Sequence, residues 1–281
     1  MNNLLKFKKN ESFYIRDGWF EKALNEIFQN SELNIFSKNN GMHILGIGSN
    51  MVKGLKYWLC SANLISANSK NVVLSKFGEL IMKYDRYLES NFSWFLIHYF
   101  LSSNMIECPI FYGIFNIDIK SFSKTDAVEM FISHFISSEY SFKKEYIEDD
   151  LNVFLKSYIN DNKYDNPEDN YVCPLSNLKL LSKRNDRYYK TRPQYFSLSY
   201  LIVYYSLIQM YDENSFIIEE SMEEYNSPVK IFNLDKNMFL QYLEEMKKNN
   251  LIIINKTAGL NTVYFNKKLT LNEIFEEYFG G

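Results

Sequence analysis

Asp85, Glu89 and His98 are the side chains whose types and spacing come nearest to a hydrolytic centre. Breaking a phosphodiester requires a nucleophile and a way to neutralise charge on the phosphate in flight. Metal-dependent nucleases do this with two or three carboxylates, often joined by a Lys or His. On one helix Asp85 and Glu89 would be i, i+4 neighbours sharing a face, and Mg2+ or Mn2+ is the ion such a set would recruit. The opposing reading is a solvated carboxylate pair beside a histidine that fills or caps the core, since no nuclease signature surrounds them. His43, near a glycine corner, and His134, on an amphipathic segment, are read the same way. Cys173 stands before Pro174 in a rigid turn and reads as a packing residue rather than a nucleophile. The acids of EYIEDDL (145–151) could hold a cation but read first as a solvated helix face. No Walker loop, dinucleotide fingerprint, H-E-x-x-H or zinc spacing occurs, so P-loop ATP hydrolysis is not expected and no metal ligands are assigned.

A second chemistry, non-covalent recognition of phosphate, is written in LGIGSNMVKGLKYWL (45–59). The glycines permit backbone angles that a side chain would block, and Ile47 between them can plug the junction of two helices. A helix starting near Ser49, its N-cap, buries Val52, Leu55, Trp58, Leu59 and Ala62 on one face. Asn50, Lys53, Lys56 and Tyr57 lie largely off that face. Its N-terminal N–H groups and dipole attract phosphate. Lys53 and Lys56 can neutralise phosphates, while Ser49 and Asn50 are short enough to reach base edges in a major groove.

These residues need a scaffold, and the pattern supplies one. Trp19, Phe20, Leu24, Ile27 and Phe28 recur at helical spacing over 17–29, and Ser37 can cap a short helix in KNNGMHIL that stops at Gly46. NLISANSKNVVL reads as two short strands about a polar turn. Helix, helix, glycine corner, helix and hairpin is the order of a winged helix-turn-helix, an architecture that also serves as a protein–protein module. The middle segment reads as helical: 93–104 is apolar nearly all round and should be buried, and 124–136 and 143–159 are amphipathic. Pro167 and the polar run 160–170 mark a loop and boundary. The end repeats the first theme, with helices at 197–211, 218–225 and 234–249, a loop through Pro228, and strands at 251–254 and 262–265. The 234–249 helix packs through Phe239, Tyr242, Leu243 and Met246. It also carries Glu244 and Glu245, which would repel phosphate, although Lys256 and Asn261 of its wing could touch a backbone. The expectation is a mainly α chain in three parts: a winged helix-turn-helix (1–83), an acidic helical middle (84–170) and a second winged-helix-like domain (171–281).

Charge follows the same division. The net charge is −3, a weak argument against nucleic acid, but residues 1–83 carry +5, 84–170 carry −8, and 171–281 balance. Within the last part 179–192 holds a local +5 through Lys179, Lys183, Arg184, Arg187, Lys190 and Arg192 against Asp186. A nucleic-acid surface would draw on the first third, including Arg16 and Lys70, and on Lys183, Arg184 and Arg187. The alternative is that basic and acidic parts pack together. With 46% apolar residues a sizeable core can be buried. Cys60, Cys108 and Cys173 stand far apart with no C-x-x-C pair, which fits a reducing cytoplasm. Neither a secretory leader nor a membrane span is expected; the most apolar stretch, 197–211, is too short and hydroxyl-rich.

Five segments together carry a resemblance: FYIRDGW (13–19), LGIGSNMVKGLKYWL (45–59), DRYLESNFSWFLIHY (85–99), VCPLSNLKLL (172–181) and TAGL (257–260). In this order the chain resembles a bacterial domain-of-unknown-function family encoded in anti-phage DNA-modification clusters, that of the B subunits of single-strand phosphorothioation (Ssp) systems. The resemblance implies a protein that binds double-stranded DNA and nicks it, so that sulfur can replace a non-bridging phosphate oxygen. It implies partners as well: a cysteine desulfurase, an ATPase and a sulfur-transfer subunit. Ser49 stands where that family's motif places Lys, removing one phosphate contact, and Arg86 stands where Pro is usual. No catalytic residue carries over. Two further functions remain open: a non-enzymatic assembly subunit of a defence complex, and a winged-helix transcriptional regulator, which would need a symmetric dimer.

Overall fold

The computed structural model describes residues 5–30, 34–37, 40–67, 71–136, 143–160, 172–257 and 260–280. The chain is mainly helical. Lys70 and most of the 160–170 loop, with Pro167, lie outside the described residues.

The first third is α1 (Trp19–Gln29), α2 (Asn40–Leu45), α3 (Ser49–Ser61), then β1 (Ile65–Ala67) paired antiparallel with β2 (Val72–Leu74). Helix α1 enters through Gly18 at φ 75, a left-handed angle that suits glycine. It buries Trp19, Phe20, Ala23, Leu24 and Ile27, whereas Phe28, expected on this face, is exposed. Next comes α4 (Lys76–Tyr84), capped by the Ser75 hydroxyl, which accepts from the Gly78 N–H.

The middle comprises α5 (Asn91–Ser102), α6 (Pro109–Asn116), β3 (Ser121–Phe122), α7 (Lys124–Ile136) and α8 (Lys144–Tyr158). Helix α5 is apolar on every side, as the sequence predicts, and buries Phe95, Leu96 and Ile97 completely. It packs against α6 and a 3-10 turn at Pro174–Leu178. Beyond that turn, β4 (Leu181–Arg184) and β5 (Arg187–Lys190) form a hairpin. This basic stretch was expected only as a charge cluster; Asn185-Asp186, with Asn185 at φ 53, is the two-residue turn that folds it back on itself. Strand β5 also pairs with β3, joining Ser121 to Tyr189.

The last part is α9 (Tyr200–Met210), β6 (Ser215–Ile217), α10 (Ile218–Glu223), α11 (Pro228–Ile231), α12 (Lys236–Lys248), β7 (Ile252–Thr257), β8 (Leu260–Phe265) and α13 (Leu271–Phe279). Two expectations are corrected. Pro228 opens a helix rather than a loop, because its fixed φ and missing N–H suit the first helical turn. The terminal hairpin gains a third strand, in the order β6-β8-β7.

The ends of the chain close onto the body. Phe275 of α13 packs edge-on against Phe77 of α4 and Phe92 of α5. At the other end the Lys8 backbone N–H and the Asn10 amide donate to the Asp150 carboxylate of α8, at 2.9 and 2.8 Å. Among the described residues no helix is long and apolar enough to cross a membrane.

Candidate nucleic-acid interface

Helix α3 is held by its apolar face. Val52, Leu55, Trp58 and Leu59 are buried, and the Trp58 indole N–H donates to the Phe13 carbonyl at 2.9 Å. That bond fixes the helix's rotation, because the indole cannot turn outward without orphaning the donor. With Trp58 inward, Ser49, Asn50 and Lys53 are exposed and Lys56 is half-buried. The Lys53 ammonium donates to the Asn50 Oδ1 at 3.2 Å, a surface contact that a phosphate oxygen can replace. Tyr57 departs from the expected polar flank: its hydroxyl donates to the Glu107 carbonyl, and burial pushes it well above the ordinary phenol range.

The corner before α3 uses its glycines differently from expectation. Gly46 has φ +67, where a side chain is strained, and it needs to be glycine. Gly48 has φ −63, ordinary for any residue, and acts as the N-cap in place of Ser49. A cap without a side chain leaves the N–H groups of Ser49, Asn50 and Met51 facing outward for an anion. Ile47 is partly buried against the core, as the plug reading requires.

Two residues that sequence reasoning missed build this corner. The Lys22 ammonium of α1 donates to the Leu45 carbonyl at 2.8 Å, closing the C-terminus of α2. Gly41 lets α2 approach α3: a Cβ there would meet Val52 Cγ1 at 2.6 Å and the Ile35 carbonyl at 2.9 Å. A glycine inside a short predicted helix was the available signal for such close contact.

The remaining basic residues are placed as follows. Arg16 lies over the Trp19 ring, its guanidinium 5.3 Å from the centroid, in the loop that leads into α1. Lys183 and Arg184 are exposed on the β4–β5 hairpin, Arg184 over the Tyr189 ring. Arg187 is engaged with Asp126 of α7 at 3.2 Å. Helix α3 packs against α1, α2 and β1, whereas the hairpin packs against β3. The two basic groups are therefore mounted on different elements.

The hydrolytic candidates do not come together. Asp85 follows α4, and its carboxylate accepts from the N–H groups of Glu89 and Ser90, building the turn that leads into α5. Glu89 lies in that turn, so the shared helical face is corrected. Burial raises the Asp85 carboxyl above its usual range. His98 is fully buried: its Nε2 sits 2.8 Å from the Ile231 carbonyl and its Nδ1 2.6 Å from the Tyr158 hydroxyl. The ring must donate to the carbonyl and accept from the phenol, which fixes a neutral tautomer, and burial pulls its pKa down to about 3. Cys173 is buried and its thiol is pushed up to about 12, consistent with packing. Among the described residues no group of three or more His, Cys, Asp or Glu could hold a metal ion.

Comparison with known proteins adds two findings. A family model described as a protein of unknown function (DUF4007) matches residues 7–279. Two solved structures are similar. One, a magnesium ion-bound SspB crystal structure, is 21% identical with a TM-score of 0.86, and the match covers 98% of this chain and 88% of that one. The other, an SspB crystal structure, is 20% identical with a TM-score of 0.83 and the same coverage. At this identity the likeness is one of fold. No curated protein matches.

Proposed function

The chain belongs to the DUF4007 family, and from that premise we propose that it is the DNA-binding component of a phosphorothioation-type DNA-modification and anti-phage system. The observation that carries this reading is the outward N-terminus of α3, with Ser49, Asn50 and Lys53 exposed while Trp58 anchors the opposite face. The order α1, α2, glycine corner, α3, β1–β2 is read as a winged helix-turn-helix over 1–83, with α3 entering a major groove. Arg16, Lys56, Lys70, Lys183 and Arg184 would supply backbone contacts. The order from α9 to β8 is read as a second winged helix within 171–281. Its α12 carries Glu244 and Glu245, so this part and the acidic 84–170 are assigned to protein partners: a cysteine desulfurase, an ATPase and a sulfur-transfer subunit. The SspB fold supports that setting.

A gel-shift titration over a salt series tests the binding. Lys53→Ala/Lys56→Ala should weaken binding to a duplex and reduce the slope of log K against log salt by about two, one for each lost phosphate contact. Equal slopes would remove α3 from the interface.

A second reading, strand nicking, is favoured by the magnesium ion in one of the structures of this fold. It would draw on carboxylates other than the Asp85, Glu89 and His98 set. Supercoiled plasmid incubated with the protein and Mg2+ or Mn2+ decides it: open circles support nicking, and their absence leaves binding alone.

A further inference from the structure

A second basic feature lies away from α3. Lys190, at the end of β5, turns inward, and its ammonium donates to the Ile117 carbonyl at 2.9 Å and the Phe115 carbonyl at 3.3 Å. These carbonyls lie at the C-terminal end of α6, where a cation is favoured by the helix dipole. An ammonium has three N–H donors, so two carbonyls leave one for another acceptor. The surrounding cleft measures about 320 Å³ and is lined by Lys120, Arg192 and Lys230 as well as Lys190, against Asp118 and Glu223. Lys120 is exposed. Arg192 pairs with Asp235, and the Lys230 ammonium donates to the Glu223 carbonyl. The floor is stapled by the Asn233 amide, which donates to the carbonyls of Leu180 and Thr191 at 2.8 and 3.1 Å.

Four cations line one concave space against Asp118, Glu223 and the Asp235 carboxylate that Arg192 pairs with, and an anion would offset the positive charge left over. The cleft's size falls in the range of small-ligand sites, and a recessed ammonium is reached more readily by a terminal phosphate than by the backbone of a duplex. We propose that the Lys190 cleft binds a phosphate monoester or free phosphate, with Lys190 and Lys120 as the principal contacts. This site is separate from the α3 interface. Burial lowers Lys190 to about 8, so its contribution should fade as pH rises past that value. Asp118, Glu223, Lys120, Lys230 and Arg192, with the Asp235 carboxylate that pairs with Arg192, are the other charged groups around it.

Titration calorimetry on the full chain tests this, with inorganic phosphate, a deoxynucleoside monophosphate and a 5′-phosphorylated dinucleotide as probes, and chloride at matched ionic strength as the control. Saturable heat with phosphate, weakened at least tenfold by Lys190→Met and severalfold by Lys120→Gln, is the expected result. Duplex affinity of Lys120→Gln should match the wild type. Lys120→Gln touches none of the carbonyl bonds and keeps the test decisive if Lys190→Met misfolds. Tighter binding of the mononucleotide than of inorganic phosphate identifies a nucleotide source, and the reverse order identifies free phosphate. No response beyond chloride, or equal binding by wild type and Lys120→Gln, overturns the proposal.

Discussion

Gly78→Ala is expected to destabilise the protein by about 2–4 kcal/mol, the range of severe overpacking against a fixed partner. The added Cβ would lie 2.1 Å from the Leu64 carbonyl oxygen and 3.1 Å from its carbon. That oxygen cannot retreat cheaply, because it accepts from the Ser75 N–H at 3.0 Å and Leu64 is fully buried. Alanine's better helix propensity returns only about 1 kcal/mol, so the steric effect decides the sign. The consequence reaches the interface, since Leu64 joins α3 to β1 and Gly78 sits in the first turn of α4. Gly48→Ala is the matched control. Its Cβ would meet only the Met51 sulfur at 4.0 Å, with an ordinary φ, and its effect should stay within about 1 kcal/mol, the difference between glycine and alanine as an N-cap. Urea unfolding of the two variants settles the matter: equal midpoints would show that α4 does not depend on this close approach.

That contrast shows what a sequence reveals and what it conceals. Periodicity gives the inward face of α3 through Val52, Leu55, Trp58 and Leu59, because burial on one side imposes a 3.6-residue repeat that survives in composition. The same signal places α5, α7, α8 and α12 to within a few residues. It fails for β3 and β6, which are two and three residues long and are defined by partners more than forty residues away. It also fails to separate Gly46 from Gly48, since a positive φ and an ordinary cap are spelled with the same letter. Charge behaves likewise. Lys190 and Arg187 count toward a basic cluster in sequence, yet one is half-buried at a helix end and the other is paired with Asp126. Lys183 and Arg184 remain at the surface.

His98 supplies the other large effect, and its sign can be worked out. The folded chain holds the ring neutral down to about pH 3, whereas an unfolded histidine takes up a proton near 6.5. Stability from this residue is therefore complete above pH 6.5 and drains as the pH falls toward 3, by about 4–5 kcal/mol over the whole window. Asp150 acts oppositely. Burial raises its carboxyl to about 6 from 3.8, so its contribution is full below 3.8 and is lost as the pH rises through 6, about 3 kcal/mol in all. Between pH 6 and 4 the two slopes oppose each other, with the raised Asp85 carboxyl acting in the same direction as Asp150. Carboxyls held below their usual range, such as Asp126, Asp235 and Glu273, weaken the fold only at still lower pH. The wild type should thus lose stability slightly from pH 7 to 6, hold level or gain slightly to 4, and then fall. His98→Gln removes one of the opposing slopes. It should be about 2–4 kcal/mol less stable at pH 7, because Tyr158 and Ile231 lose a matched partner, yet it should gain stability as the pH drops from 6 to 4. Asp150→Asn should do the reverse, falling by about 1.4 kcal/mol per pH unit across that interval. Denaturant unfolding at half-unit steps of pH reads both slopes. If His98→Gln keeps the wild-type profile, the buried imidazole is not the group that governs acid stability.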